Sequence, residues 1–303
     1  TPLVHRGFLD YCQAALFTDV LPAYGARTAG EVLAAELRAH PSMRIYLTGH
    51  SLGGAAAVLA AARLSDLGVA PEQLVVTTFG APAVGNAAFA RRYEGRFTLH
   101  RVVMSGDPMK DVLAAPLGFQ QFGEREAWTP ARSVAKFPHA MMVYVDAAIR
   151  QLYDAYGGDN AYLFLMGLPN RTEGRTLYAL PIETELDDTL AEDAPYMMAV
   201  LRDALHVQNA QVVFASGGGG LSAQGLLSGL GGHLAAARAA GAEQMVAYRI
   251  AGAKIRDARE TYRLTLERAV YDMDGNLIAA GSRSARTGTL TPIETVLYLF
   301  AQD

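Results

Sequence analysis

Ile45-Tyr46-Leu47-Thr48-Gly49-His50-Ser51-Leu52-Gly53-Gly54-Ala55 is the stretch on which the reading of the fold turns. The segment from Met43 to Thr48 is apolar and β-rich, and reads as a buried strand. The segment from Ala55 to Leu67 reads as a helix packed with Ala and Leu, closed by Gly68 with Pro71 behind it. Between them lies a G-x-S-x-G pattern. A serine on a tight strand-to-helix turn is a nucleophile elbow. Small residues must flank it so that the backbone can bend, and Gly49, Gly53 and Gly54 supply them. The helix behind Ser51 aims its N-terminal N–H groups and positive dipole end at the hydroxyl. The N–H of Leu52 is then one expected oxyanion donor. A Gly-rich helix start with an incidental serine would match the same pattern. The strand before it and the helix after it favour the elbow.

Working outward, strands and helices alternate. A helix from Gly30 to His40 is ended by Pro41, and strands run from Leu74 to Phe79 and from Leu99 to Met104. This rhythm predicts a mostly parallel sheet covered by helices. A serine hydroxyl needs a base that is itself held by an acid. On such a sheet the partners follow in the order serine, acid, histidine. Of seven histidines, His5, His40 and His50 precede Ser51, His100 leads into a strand, and His206 and His233 lie in the second half. His139 remains as the expected base. For the acid, Asp107 and Asp111 are both available. Asp107 directly follows a strand, at the carboxyl end where sites assemble in open α/β sheets, and is preferred. Asp111 sits where a helix N-cap role is the simpler reading.

With these residues in place, the first half resembles the class 3 lipases, the fungal-type triacylglycerol lipase family of the α/β-hydrolase fold. Four blocks carry the resemblance: Val4-His5-Arg6-Gly7-Phe8, the nucleophile block Ile45–Ala55, Thr78-Phe79-Gly80-Ala81-Pro82-Ala83-Val84-Gly85-Asn86, and Arg101-Val102-Val103-Met104-Ser105-Gly106-Asp107-Pro108. It spans roughly residues 4 to 150. Position by position it implies Ser51 as nucleophile, Asp107 as acid and His139 as base, with no cofactor and no metal. Members usually carry a strand, the second oxyanion donor and a lid before the first block. Those are absent from this chain, and Thr1-Pro2 is not a natural start, so an upstream segment is expected. Met109-Lys110 departs from the family's usual apolar residue and prolines, which bears on the pocket wall.

The chain has 303 residues, of which 51% are hydrophobic, enough for two cores. The expected division is a hydrolase domain over 1–160 and a smaller α/β domain over 175–303. The turn-like Gly157-Gly158-Asp159-Asn160 and the linker Pro169-Asn170-Arg171-Thr172-Glu173-Gly174 separate them. The second half restarts with strands at Thr176–Ile182, Gln211–Ala215 and Gln244–Ile250 and a helix at Tyr196–Leu205. The helix from Leu221 to Ala240 is expected to be interrupted at Gly229, Gly231 and Gly232. An antiparallel hairpin turns around Asp272-Met273-Asp274-Gly275-Asn276, and a last helix covers Pro292–Phe300. Glu183-Glu185 and Asp187-Asp188 read as a solvated acidic turn. Gly217-Gly218-Gly219-Gly220 lacks the Lys-Ser/Thr pair of a phosphate loop and reads as a flexible connection. This half resembles the small α/β domains of bacterial envelope lipoproteins, a resemblance that implies export.

A net charge of −4 gives no basic surface for nucleic acid. The single cysteine, Cys12, excludes an internal disulfide and a cysteine-based metal site. No stretch is long and apolar enough to span a membrane. The expected function is a serine carboxylic-ester hydrolase acting on lipid-like esters, with association to a lipid interface. The alternative is a non-catalytic envelope scaffold that binds a partner through its second half. Val112, Leu113, Leu117 and Phe119 are candidates for an acyl pocket or for ordinary core.

Overall fold

The computed structural model of the chain describes residues 1–112, 118–136, 138–156, 176–209, 211–217, 223–255 and 261–302. They divide into two compact units, residues 1–130 with 137–144, and residues 131–136 with 145–303. The expected linker from 157 to 174, and Leu113 and Leu117, lie outside the described residues.

The first unit starts with α1 (Arg6–Leu16), a two-residue pair β1 (Val20–Leu21) and β2 (Arg27–Thr28), and α2 (Ala29–Ala39). A capping box starts α2: the Thr28 side chain accepts from the Glu31 N–H while Glu31 accepts from the Thr28 N–H. Then come β3 (Ile45–His50), α3 (Leu52–Asp66), β4 (Leu74–Phe79), α4 (Ala87–Tyr93), β5 (Thr98–Met104) and β6 (Glu124–Trp128). The four strands form one parallel sheet in the order β3-β4-β5-β6. Ala55, Ala57, Ala60, Ala61 and Ala62 of α3 are buried with Leu74 and Val76 of β4. The small side chains bring the helix close to the sheet and so fix the turn that joins β3 to α3. β6 escapes the sequence reading because Glu-Arg-Glu-Ala-Trp is nearly all exposed, as suits an edge strand.

Helix α5 (Met141–Tyr156) follows. Its later residues Ile149, Leu152 and Tyr153 pack in the core of the second unit. That unit contains β7 (Thr176–Ala179), β8 (Glu183–Leu186), α6 (Ala194–Gln208), β9 (Gln211–Phe214), α7 (Ala223–Ala239), β10 (Gln244–Lys254), β11 (Tyr262–Tyr271), β12 (Leu277–Arg286) and α8 (Pro292–Ala301). The sheet order is β12-β11-β10-β7-β9, with β8 also paired to β10. β7, β8 and β9 run parallel to their neighbours, whereas β10, β11 and β12 form an antiparallel meander. The β11–β12 turn is held by Asp272, whose Oδ1 accepts from the N–H groups of Asp274 and Asn276 at 2.9 and 2.8 Å.

Three expectations are corrected here. β3 is not a buried strand: it lies at the edge of its sheet among the described residues, none of its side chains is fully buried and Tyr46 is exposed. α7 is not interrupted at Gly229, Gly231 and Gly232, because Leu230, Leu234 and Ala237 anchor it in a core with Met245 and Tyr271. Glu183 to Leu186 is a strand and not a solvated turn. Its backbone pairs with β10, and Glu185 meets the Arg249 guanidinium at 3.0 Å.

Candidate active site

At the end of β3 the chain enters α3 through Ser51, whose φ of 54° and ψ of −120° lie outside the ordinary regions. The strain is held by bonds on both sides. The Ser51 N–H donates to the Phe79 carbonyl at 2.9 Å, and its own carbonyl accepts from the Ala55 N–H at 3.1 Å. Two of the three flanking glycines are required sterically, whereas a Cβ at Gly53 would meet nothing within 4 Å. A Cβ at Gly49 would lie 2.3 Å from the Gly53 carbonyl carbon, and one at Gly54 would lie 2.8 Å from the Gly49 oxygen.

Asp107 follows β5 after Ser105 and Gly106, and it caps the short 3-10 turn Pro108–Asp111, accepting from the Met109 N–H at 2.8 Å. The capping role that sequence reasoning offered to Asp111 therefore belongs to Asp107 itself. Asp111 ends the turn and is exposed. The Asp107 carboxylate is buried, and the His139 imidazole sits against it with its side chain 31% exposed. His139 Nδ1 lies 3.0 and 2.9 Å from the two Asp107 oxygens, and Nε2 lies 2.9 Å from Ser51 Oγ. Because a carboxylate only accepts, Nδ1 carries the proton and Nε2 is free to accept from the Ser51 hydroxyl. Three residues separated by up to 88 positions thus form one hydrogen-bonded relay. Apart from His50, the other histidines of this unit lie elsewhere: His100 is 3.3 Å from Glu124, His40 lies beside Glu36, and the His5 ring lies 4.3 Å from that of Phe8.

Three further residues shape the site and were not singled out from sequence. The Tyr144 hydroxyl donates to Asp107 Oδ2 at 2.6 Å and accepts from the Met104 N–H at 3.1 Å. Burial, and then the hydrogen bond to Asp107, push its pKa well up, so it stays a neutral donor. His50 donates from Nε2 to the His139 carbonyl at 2.7 Å, and the two rings lie 4.8 Å apart. Burial pushes the His50 pKa down, which favours the neutral ring beside His139. Gly80, at φ 58°, passes so close that a Cβ would lie 2.6 Å from Asp107 Oδ2, 2.8 Å from the Tyr144 hydroxyl and 3.2 Å from His139 Nδ1. The one signal for Tyr144 was its place in the first turn of a helix just after His139.

Leu52, the first residue of α3, is 41% exposed at the mouth of the elbow. Of the suggested pocket residues, Val112 is exposed, and Phe119 forms a backbone bridge to Asn86. Cys12 is buried, which raises its thiol pKa to about 11, and it packs among the core residues of this unit.

Residues 1–115 match the family described as lipase (class 3). The lipase of Rhizopus niveus is 34% identical over 128 residues, which cover 41% of this chain and 30% of that protein. A solved structure of lipase II from Rhizopus niveus is 32% identical with a TM-score of 0.34, covering 42% of this chain and 45% of that one. A structure of the LpoB C-terminal domain from Salmonella enterica aligns at 16% identity and a TM-score of 0.25, covering 45% of this chain and 91% of that one. The chain therefore spans 30% of the length of the curated relatives it matches first.

Proposed function

We propose that the first unit is a serine carboxylic-ester hydrolase that cleaves lipid-like esters through an acyl-enzyme on Ser51. The observation that carries this reading is the continuous relay from Ser51 Oγ to His139 Nε2 and from His139 Nδ1 to Asp107. His139 removes the hydroxyl proton as Oγ attacks the ester carbonyl, then returns it to the leaving alcohol. Water repeats the sequence to release the acid and regenerate Ser51. Asp107 keeps the imidazole in the tautomer that can accept, and stabilises it once protonated. The Leu52 N–H, at the positive end of α3, stabilises the oxyanion.

A second oxyanion donor is part of the same reading, and we assign it to chain outside these residues. The support is β3, an edge of its sheet among the described residues, with Tyr46 70% exposed along it. A further strand paired there would end beside Ser51. A lipid interface as the working surface and export from the cytoplasm belong to the same proposal. The division of labour places the chemistry in the first unit and leaves the second as an accessory domain.

The test is hydrolysis of p-nitrophenyl esters of several chain lengths by the protein and its Ser51→Ala variant, together with fluorophosphonate labelling. Loss of both hydrolysis and labelling in the variant is expected. Equal hydrolysis by the two proteins would remove Ser51 from the mechanism.

A further inference from the structure

The second unit holds a cavity of about 570 Å3 in which residues from three elements converge. Helix α6 contributes Pro195, Met198, Ala199, Arg202, Asp203 and His206, which recur at helical spacing and so present one stripe. Opposite them stand Leu180, Pro181 and Ile182, which connect β7 to β8. Phe214 and Ala215, at the end of β9, close the third side.

The position follows from the topology. β9 pairs with β7 only as far as Ala179 and Phe214, whereas β8 continues along β10. Beyond the end of β9 no strand covers the β7–β8 junction among the described residues. The chain leaves β7 toward α6 and leaves β9 toward α7. Those helices pack on opposite faces, α6 with Leu177 and Ala179, and α7 with Tyr178 and Leu180. Connections that diverge in this way from neighbouring parallel strands open a crevice at the carboxyl ends, the place where open α/β sheets bind ligands. A volume near 570 Å3 is that of a small-molecule pocket.

Its chemistry is amphiphilic. Ile182, Met198 and Phe214 are half-buried and offer an apolar wall. The exposed Arg202 guanidinium lies 4.2 Å over the Phe214 ring, which fixes the cation at the mouth. Among the described residues no carboxylate pairs with it. His206 stands edge-on to the same ring at 5.3 Å. Asp203 is buried, and its Oδ2 accepts the Tyr153 hydroxyl at 2.7 Å, so that oxygen is engaged away from a ligand. One exposed cation beside an engaged carboxylate suits a monoanion better than a phosphate dianion.

We propose that this cavity binds an amphiphilic carboxylate, its hydrocarbon body on Ile182, Met198 and Phe214 and its carboxylate on Arg202. The site is separate from Ser51 and does not depend on the hydrolase reading.

The experiment titrates the full chain, carrying methyl-13C methionine, with decanoate below its micellar range. The Met198 signal is assigned with Met198→Leu. A saturable shift at Met198 is expected, unchanged in Ser51→Ala and weakened about tenfold or more in Arg202→Gln, the scale of a lost charged hydrogen bond. Arg202→Lys should fall between, since it keeps the charge without the fork. No shift at Met198, or equal affinity for decanol, or decanoate binding unaffected by Arg202→Gln would each overturn the assignment. Tighter binding of decyl phosphate than of decanoate would overturn the carboxylate class.

Discussion

The Tyr144 hydroxyl donates to Oδ2 of Asp107 at 2.6 Å, the same oxygen that lies 2.9 Å from His139 Nδ1. The carboxylate is therefore held from its inner side by a buried phenol and from its outer side by the imidazole it orients. Tyr144→Phe keeps the ring but removes that donor and also leaves the Met104 N–H without its acceptor. A hydrogen bond to a charged group is worth about 1.5–3 kcal/mol, so kcat/KM should fall about tenfold to a hundredfold. Unfolding free energy should drop by about 1–3 kcal/mol. Ester hydrolysis and urea denaturation of the one variant measure both. No change in either would show that the phenol neither positions Asp107 nor supports it.

Gly80 gives a sharper steric test. Its φ of 58° already disfavours a side chain, and the added Cβ would meet Asp107 Oδ2 at 2.6 Å and the Tyr144 hydroxyl at 2.8 Å. Both contacts cannot be relieved without moving the carboxylate away from His139. Gly80→Ala should lose about a hundredfold or more in kcat, since misplacement on the scale of an ångström costs that much. Fluorophosphonate labelling should slow in parallel while circular dichroism stays native. A variant with full activity would mean that the β4 end yields more readily than its packing suggests.

How much of this was legible in the sequence depends on what each element rests on. β3, β4 and β5 are apolar runs bounded by turns, and α3 is an alanine-rich helix opened by the elbow, so periodicity and punctuation located them. Ser51, Asp107 and His139, which the structure brings into one hydrogen-bonded chain, could be singled out because their order and their strand ends follow from the architecture. β6 and β8 were missed because their side chains are mostly exposed and rich in charge, and only backbone pairing with β5 and β10 makes them strands. The glycines of α7 argued for breaks that tertiary packing overrides. Tyr144 and His50 could not be placed, because what matters about them is which oxygen each one reaches from a distant part of the chain.

Ser51 stores strain that can be measured separately from its chemistry. A non-glycine residue at φ 54° costs on the order of 1–3 kcal/mol. Ser51→Ala keeps that cost, whereas Ser51→Gly relieves it but widens the unfolded ensemble. Both variants should be inactive toward esters. Despite its looser unfolded chain, Ser51→Gly should be more stable than Ser51→Ala by about 1 kcal/mol in urea, with the same m-value. Equal midpoints would mean that the elbow is not a strained position.

In the second unit, Asp193 and Asp146 share one cation. Arg150 donates from Nε to Asp146 Oδ2 at 2.6 Å and from Nη2 to Asp193 Oδ1, which also accepts from Ser133 at 2.9 Å. Glu192 and Tyr196 face the same guanidinium, the first through its backbone carbonyl and the second through its ring. One guanidinium does not offset two buried carboxylates, and Asp193 Oδ2 and Asp146 Oδ1 have no hydrogen-bond partner among the described residues. Burial raises Asp193 to about 6 from an ordinary value of 3.8, and it pushes Asp146 up as well. With the folded pKa above the unfolded one, the folded state binds the extra proton between about pH 4 and pH 6. Asp193 thus favours folding at low pH, and that contribution is lost as pH rises through about 6. A rise from 3.8 to about 6 corresponds to on the order of 3 kcal/mol across the window. Asp193→Asn removes this titration. Relative to the parent protein, the variant should gain stability between about pH 4 and about pH 7.5 by an amount of that order. Urea titrations at the two pH values measure it. A stability difference between variant and parent that stays constant with pH would show that Asp193 remains ionised throughout and that Arg150 alone meets its charge.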